Sequence, residues 1–297
     1  AVRAYFVRTG VLEVTTPQLR PAGASDPHLV NLAVPLPTRD AYLQTSPEAA
    51  MKRLLAAYRQ SIYQICAAFR GGETGTRHSV EFTMLEWYRC DILLEGLMDD
   101  MTQLLSNVID ALQDSYPQVM PVTAPVRVSY RQLFEQAFGV NPHQASAVTL
   151  AALCRNRALD HLADPAPADC LDALFATVIE PDLKAPTIVY DYPACQAALA
   201  ECRTDAAGDQ VAARFELYVS GVEIANAYQE LRDKEELERR LALNNSRRMQ
   251  LGLPVMSDDL ELIEATAALP VCSGIALGLD RLAMVLLGRD QLADVIA

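Results

Sequence analysis

Residues 80–88 read VEFTMLEWY, and their reading decides the fold class. The stretch holds two glutamates, three aromatics and the chain's single tryptophan, with no glycine or proline. That composition favours a β-strand, and in a strand alternate residues share a face. Phe82, Met84, Glu86 and Tyr88 then lie on one side, and Glu81, Thr83, Leu85 and Trp87 on the other. Upstream, SIYQICAAFR (61–70) reads as a partner strand with Gln64, Cys66, Ala68 and Arg70 on one face. The intervening GGETGTRHS (71–79) makes a long hairpin loop. One face of this hairpin gathers Arg70, Glu86 and Tyr88 beside small residues and an aromatic. A packed core does not select that set; a face with charges aimed at a ligand does. Solvated strands are also polar, but Phe82, Met84 and Tyr88 side by side suit open water poorly.

The rest of the chain supports an antiparallel arrangement. A helix ends at Gly10, and VLEVTTP is a short strand closed by Pro17. Residues 20–40, rich in Pro, Gly, Ala and Asp, read as loop. TSPEAAMKRLLAAY (45–58) is a helix with a Thr45-x-x-Glu48 capping box and Pro47 in its first turn. Residues 92–113 form an amphipathic helix. RFELYVSGVEIANAYQEL (214–231) is a second hairpin turning at Ser220-Gly221, and a charged helix follows, ended by Gly252. CSGIALGLDRLAMVLLG (272–288) runs from strand into helix. Two hairpins separated by helical sequence predict an α+β fold, an antiparallel sheet flanked by helices. Residues 1–297 are expected to form one catalytic domain, with a mainly helical insertion at about 114–190.

Bulk properties exclude some functions. The net charge of −13 argues against wholesale binding to a phosphate backbone, which needs clustered Lys and Arg. Seven cysteines without a C-x-x-C pair argue against a zinc site or a disulfide framework, and for a reducing, cytoplasmic setting. No apolar run is long enough to span a bilayer, and no signal peptide is recognised, so no membrane partner is expected. Neither G-x-G-x-x-G nor G-x-x-x-x-G-K-[ST] occurs.

Two further groups carry chemistry. The second hairpin holds Glu216, Glu223, Asn226 and Glu230. Carboxylates brought together repel unless a cation sits between them, and Mg²⁺ takes one or two carboxylates with phosphate oxygens and water. Taken alone, the same residues also suit a charged surface. Asp280-Arg281 opens the last helix, where outward N–H groups and an arginine make an anion site.

With these residues in place, three stretches resemble motifs one, two and three of the class II aminoacyl-tRNA synthetases. They are GVLEVTTP, FR-loop-RHSVEFTMLEWY and ALGLDRL, in the family's order. TSPE, VEIANAYQEL and the RH-x-x-EF spacing are similar to the lysyl-tRNA synthetase branch. EFTMLEWYR and CSGIALGLDRL look most like those paralogues of that branch that charge elongation factor P. The likeness covers nearly the whole chain apart from residues 114–190.

The resemblance implies adenylation of (R)-β-lysine by ATP and transfer to a lysine of elongation factor P. It gives Arg70 and Arg281 the catalytic role. Arg70 would bind the α-phosphate and the substrate carboxylate; His78 and Arg281 would sit near the β- and γ-phosphates. Phe82 would stack on adenine, and Glu216 and Glu223 would hold Mg²⁺, Glu223 also serving the nucleotide. Glu48, Glu86, Tyr88 and Glu230 would receive the two ammonium groups of the amino acid, with Asn226 near its carboxylate. Glu81, on the other face of its strand, would be structural. Pairing through motif one implies a homodimer. No anticodon-binding domain and no tRNA recognition are expected. A trimmed lysyl-tRNA synthetase core and a non-catalytic synthetase-like regulator are the alternatives.

Departures from the pattern qualify this transfer. Motif two usually carries Arg-x-Glu, whereas Arg70-Gly71-Gly72-Glu73 places glycine there. Either Glu73 substitutes in ATP binding after a loop shift, or that adenine contact is lost. Strict alternation sets Glu223 opposite Asn226 and Glu230, so a bulge or strand end near Ala225 is required if all three line one site. Glu48 also has a purely structural reading, as the capping-box acid. Ala276 stands where glycine is usual, and its methyl would reshape the amino-acid pocket.

Overall fold

A computed structural model of the chain describes residues 1–37, 40–113, 116–159 and 166–296. The chain opens with α1 (Val2–Arg8), ended by Gly10 at φ 70, then β1 (Leu12–Glu13), β2 (Leu19–Arg20), β3 (Ala33–Pro35) and β4 (Asp40–Leu43). It continues through α2 (Glu48–Tyr58), β5 (Ile62–Phe69), β6 (Glu81–Cys90) and α3 (Leu94–Gln113). Next come β7 (Val126–Ser129), α4 (Tyr130–Phe138), α5 (Ala147–Asn156), α6 (Pro167–Leu174), β8 (Thr187–Pro193), β9 (Cys202–Thr204), β10 (Gln210–Val219) and β11 (Val222–Gln229). The last elements are α7 (Lys234–Gln250), α8 (Leu260–Ala268), β12 (Cys272–Gly278) and α9 (Leu279–Leu286). Among the described residues no helix is long and apolar enough to cross a membrane.

Two compact units result: Ala1–Pro121 with Glu230–Ala297, and Val122–Gln229. In the first, strands run in the order β1-β5-β6-β12. Only β1 and β5 are parallel; β5 with β6 and β6 with β12 are antiparallel. The alternation read from residues 80–88 holds. Leu85 and Trp87 are fully buried on one face. There Phe6 of α1 stacks on Tyr63 at 4.2 Å and meets Trp87 edge-on at 5.6 Å. Asp100 of α3 accepts from Trp87 Nε1 at 2.9 Å and Tyr5 Oη at 2.7 Å, so the buried donors are satisfied. This closed face leaves Glu86 and Tyr88 to the opposite side.

The loop expected over residues 20–40 is partly ordered as a small antiparallel sheet, β2-β4-β3. Strands of two to four residues within turn-rich sequence carry no periodicity to detect. The segment leading into β3 supports the first hairpin, since Gly71 N donates to Val30 O at 2.8 Å.

In the second unit the order is β11-β10-β8-β7, with β9 on β10 and β7 parallel to β8. Tyr130, Phe134, Leu150, Leu171 and Phe175 build its core. The helices expected at 114–190 are present as α4, α5 and α6, but β7 and β8 accompany them. Residues 114–115 and 160–165 of that stretch lie outside the described residues. The compact unit reaches Gln229, so the second hairpin belongs to it. That hairpin turns at Ser220 and Gly221, both left-handed at φ 55 and 70, the geometry that matches strand twist.

Candidate active site

In the first unit, register fixes which side chains meet. Glu86 pairs with Gln64 on one side and Ala276 on the other; Tyr88 pairs with Ile62 and Gly274. Directly opposed residues point to the same face, so Glu86, Tyr88 and the Ala276 methyl share one patch. Tyr88 Oη donates to Glu86 Oε1 at 2.6 Å. Glu86 Oε2 is buried and has no hydrogen-bond partner among the described residues. Glu230, 1 % exposed, closes the patch with its carboxylate over Gly274. A Cβ on Gly274 would overlap the Tyr88 ring and come within 2.5 Å of Glu230 Oε1. Only glycine leaves room there for both groups.

Glu48 joins them from α2. The expected capping box does not form: α2 starts at Glu48, Pro47 is its N-cap, and no side chain caps it. Instead Lys52, one turn on, donates to Glu48 Oε1 at 2.7 Å and lies 2.6 Å from Glu230 Oε2. Burial alone would lower the Lys52 pKa, but the Glu230 and Glu48 carboxylates override it and hold the ammonium charged. Burial, reinforced by the charge of Glu48, pushes the Glu86 carboxyl up to about 8. Burial and the Glu86 carboxylate raise the Tyr88 hydroxyl well above its usual range. The patch therefore combines carboxyl groups from α2, from β6 and from the residue after β11 with one internal ammonium. Lys52 escaped the sequence reading because Glu-to-Lys at i,i+4 on a helix ordinarily marks a solvated pair.

The residues of the first hairpin expected to meet the nucleotide lie at or near its loop. Arg70 holds its guanidinium 5.2 Å over the Phe82 ring, with Nε donating to Thr45 O at 3.3 Å. Glu73 reaches back to Arg70 Nη1 at 3.5 Å. Gly72 adopts φ 78, a conformation other residues avoid, which accounts for glycine where motif two usually has an acid. The loop is tied at Thr76 O by Leu292 N at 2.7 Å and at Arg77 O by Arg281 Nε at 3.2 Å. Burial, then the Arg281 charge, lowers the His78 pKa, so the imidazole is neutral at physiological pH. Asp280 Oδ2 accepts from Thr83 N at 2.6 Å and anchors the start of α9 to β6.

In the second unit, the required bulge is found. Register shifts between Leu217 and Tyr218, so Glu216 faces Asn226 while Tyr218 faces Glu223. The extra residue, Ile224, returns Glu223 to the face of Asn226. Asn226 Nδ2 donates to Tyr228 Oη at 3.1 Å, and its Oδ1 is buried with no hydrogen-bond partner among the described residues.

Glu216 is held by three donors. Arg214 Nη2 donates to Oε1 at 2.5 Å, Tyr192 Oη donates to Oε2 at 2.6 Å, and Tyr218 Oη also donates to Oε2. Arg214 lies 4.6 Å over the Tyr192 ring, and Tyr192 packs against the core aromatic Tyr130 at 4.9 Å. Three donors meet the two oxygens, and Arg214 balances the charge in place. A carboxylate has about four acceptor positions, so Mg²⁺ at Glu216 would share it with these donors. Among the described residues no group of three or more His, Cys, Asp or Glu is arranged to hold a metal ion. Arg214 and Tyr192 were missed because their link to Glu216 is made only by the folded sheet.

An antiparallel sheet with flanking helices, a long motif-two hairpin and a strand-to-helix arginine define a nucleotide-using synthetase-type site. A model of the family tRNA synthetases class II (D, K and N) matches residues 1–297, and the chain belongs to that family. Among its relatives, an elongation factor P–(R)-β-lysine ligase of Enterobacter sp. (strain 638) is 41% identical over 100% of this chain and 90% of its own length. Ligases of the same name from Salmonella dublin and Salmonella paratyphi B are each 40% identical over the same shares.

Proposed function

We propose that this protein is an ATP-dependent ligase that adenylates (R)-β-lysine and transfers it to a lysine side chain of elongation factor P. The observation that carries the reading is the acid patch of Glu48, Glu86 and Glu230 with Tyr88. It offers carboxylates to two ammonium groups while containing one cation of its own. The relatives' name supports the same substrate and acceptor.

In the first step a carboxylate oxygen of the amino acid attacks the α-phosphate in line. The new O–P bond forms as pyrophosphate leaves with the electron pair. No protein nucleophile is needed; positioning and charge stabilisation supply the catalysis. Arg70 meets the α-phosphate, with Arg281 and His78 at the β- and γ-phosphates, Phe82 under adenine and Glu73 as the shifted adenine contact. In the second step the acceptor ε-amine attacks the adenylate carbonyl, AMP leaves, and the amine loses a proton. The motif-one segment supports a homodimer. The described cysteines are all free thiols, which fits the cytoplasm.

The test is incubation of the full chain with ATP, (R)-β-lysine and elongation factor P, followed by intact mass. The expected result is one β-lysyl addition on a lysine. Aminoacylation of tRNA without modification of elongation factor P would favour a lysyl-tRNA synthetase core instead.

A further inference from the structure

Lys52 has no part in the scheme above, yet it lies inside the amino-acid patch. Its side chain is 3 % exposed, and its neighbours Met51 and Leu55 pack in the cluster containing Ile62 and Tyr88. A fixed ammonium beside a site for a cationic substrate is a liability by charge alone. The geometry gives it a purpose. Nζ joins a carboxylate carried by α2 to one carried just past the end of β11, at 2.7 Å from Glu48 and 2.6 Å from Glu230. It engages one oxygen of Glu230, while the other lies over Gly274, where no side chain could stand. Lys52 thus holds Glu230 in the space that Gly274 leaves open.

We infer that Lys52 is a positioning residue for amino-acid recognition: it holds Glu48 and Glu230 in the single arrangement that receives the substrate's ammonium groups. The inference rests on the functional reading above, which places those ammonium groups there. Without Lys52 three acidic side chains would face one another with no cation among them, and such groups at close range rearrange or share protons. The pocket would have to be reordered before each binding event. Helix α2 carries the clamp because positions one turn apart share a face.

Charge alone and positioning predict opposite signs. If Lys52 merely repelled the substrate, removing it would tighten amino-acid binding. In the positioning account, Lys52→Met raises the KM for (R)-β-lysine about tenfold or more in ATP–pyrophosphate exchange, with the KM for ATP within about twofold. Lys52→Arg keeps the charge but not the compact ammonium, and raises the β-lysine KM severalfold, again without moving that for ATP. Where Lys52→Met does not fold, Lys52→Arg decides by the same criteria. An unchanged or lower β-lysine KM overturns the inference, as does a parallel rise in both KM values, the mark of a packing role. Glu230→Gln is measured alongside. If it leaves the β-lysine KM unchanged, the functional reading itself fails; if it raises that KM while the Lys52 variants behave as wild type, only the assignment of Lys52 fails.

Discussion

Glu86 and Glu216 are both glutamates buried on central strands, and they have opposite surroundings. Glu216 accepts from Arg214, Tyr192 and Tyr218, so its charge is balanced and both its oxygens have donors. Glu86 accepts from Tyr88 alone and keeps a buried oxygen without a hydrogen-bond partner among the described residues. A satisfied buried carboxylate stabilises a fold; an incompletely satisfied one is costly and persists where a ligand completes it. The comparison separates a fully partnered buried glutamate from an incompletely partnered one where sequence spacing treats them alike.

The largest expected effect lies on the binding side. Arg70→Ala should lower pyrophosphate exchange by about a thousandfold, the scale of losing a charge-stabilising donor, with an unchanged circular dichroism spectrum. Glu230→Gln should cost about a hundredfold in kcat/KM for β-lysine, the scale of breaking a buried charge pair. On the closed side, Glu216→Gln should leave Arg214 uncompensated and destabilise the protein by about 3–5 kcal/mol in urea unfolding. It should not move the Mg²⁺ concentration giving half-maximal exchange. A severalfold shift in that concentration would break the comparison, because it would make Glu216 a metal ligand.

A smaller effect is the pH dependence of Glu86. Its folded pKa, raised to about 8, exceeds the unfolded value, so the folded state holds the extra proton between roughly pH 4.5 and 8. Stability therefore falls as pH rises across that window, and Glu86→Gln should flatten the fall in thermal melts. Substrate binding runs the other way: a cationic amino acid favours the ionised carboxylate, so the β-lysine KM should decrease as pH approaches 8. The smallest effect is at Glu81, exposed on the opposite face of the same strand. Glu81→Gln should change stability by less than about 0.5 kcal/mol and leave exchange unaltered.

Much of this contrast was legible in sequence. Strand parity placed Glu86 with Tyr88 and opposite Trp87, because side chains alternate strictly along a regular strand. Parity also called for a bulge or a strand end to bring Glu223 to the face of Asn226, and the strand pair supplies a bulge. What could not be read depends on partners distant in sequence. Arg214 shares a strand with Glu216, but Tyr192 meets it only through strand pairing. Lys52 drew no reading, since nothing local announces that Glu230 closes over it. The capping box at Thr45 was a sound local rule overridden by a tertiary ion pair, and the sheet of β2, β3 and β4 was too short for periodicity.

The most direct test of the central claim, that the acid patch grips a doubly cationic amino acid, is pyrophosphate exchange measured across (R)-β-lysine, α-lysine and the monocation 6-aminohexanoate. The account predicts the highest kcat/KM for (R)-β-lysine, less for α-lysine and little for 6-aminohexanoate. Equal exchange with the monocation would contradict it.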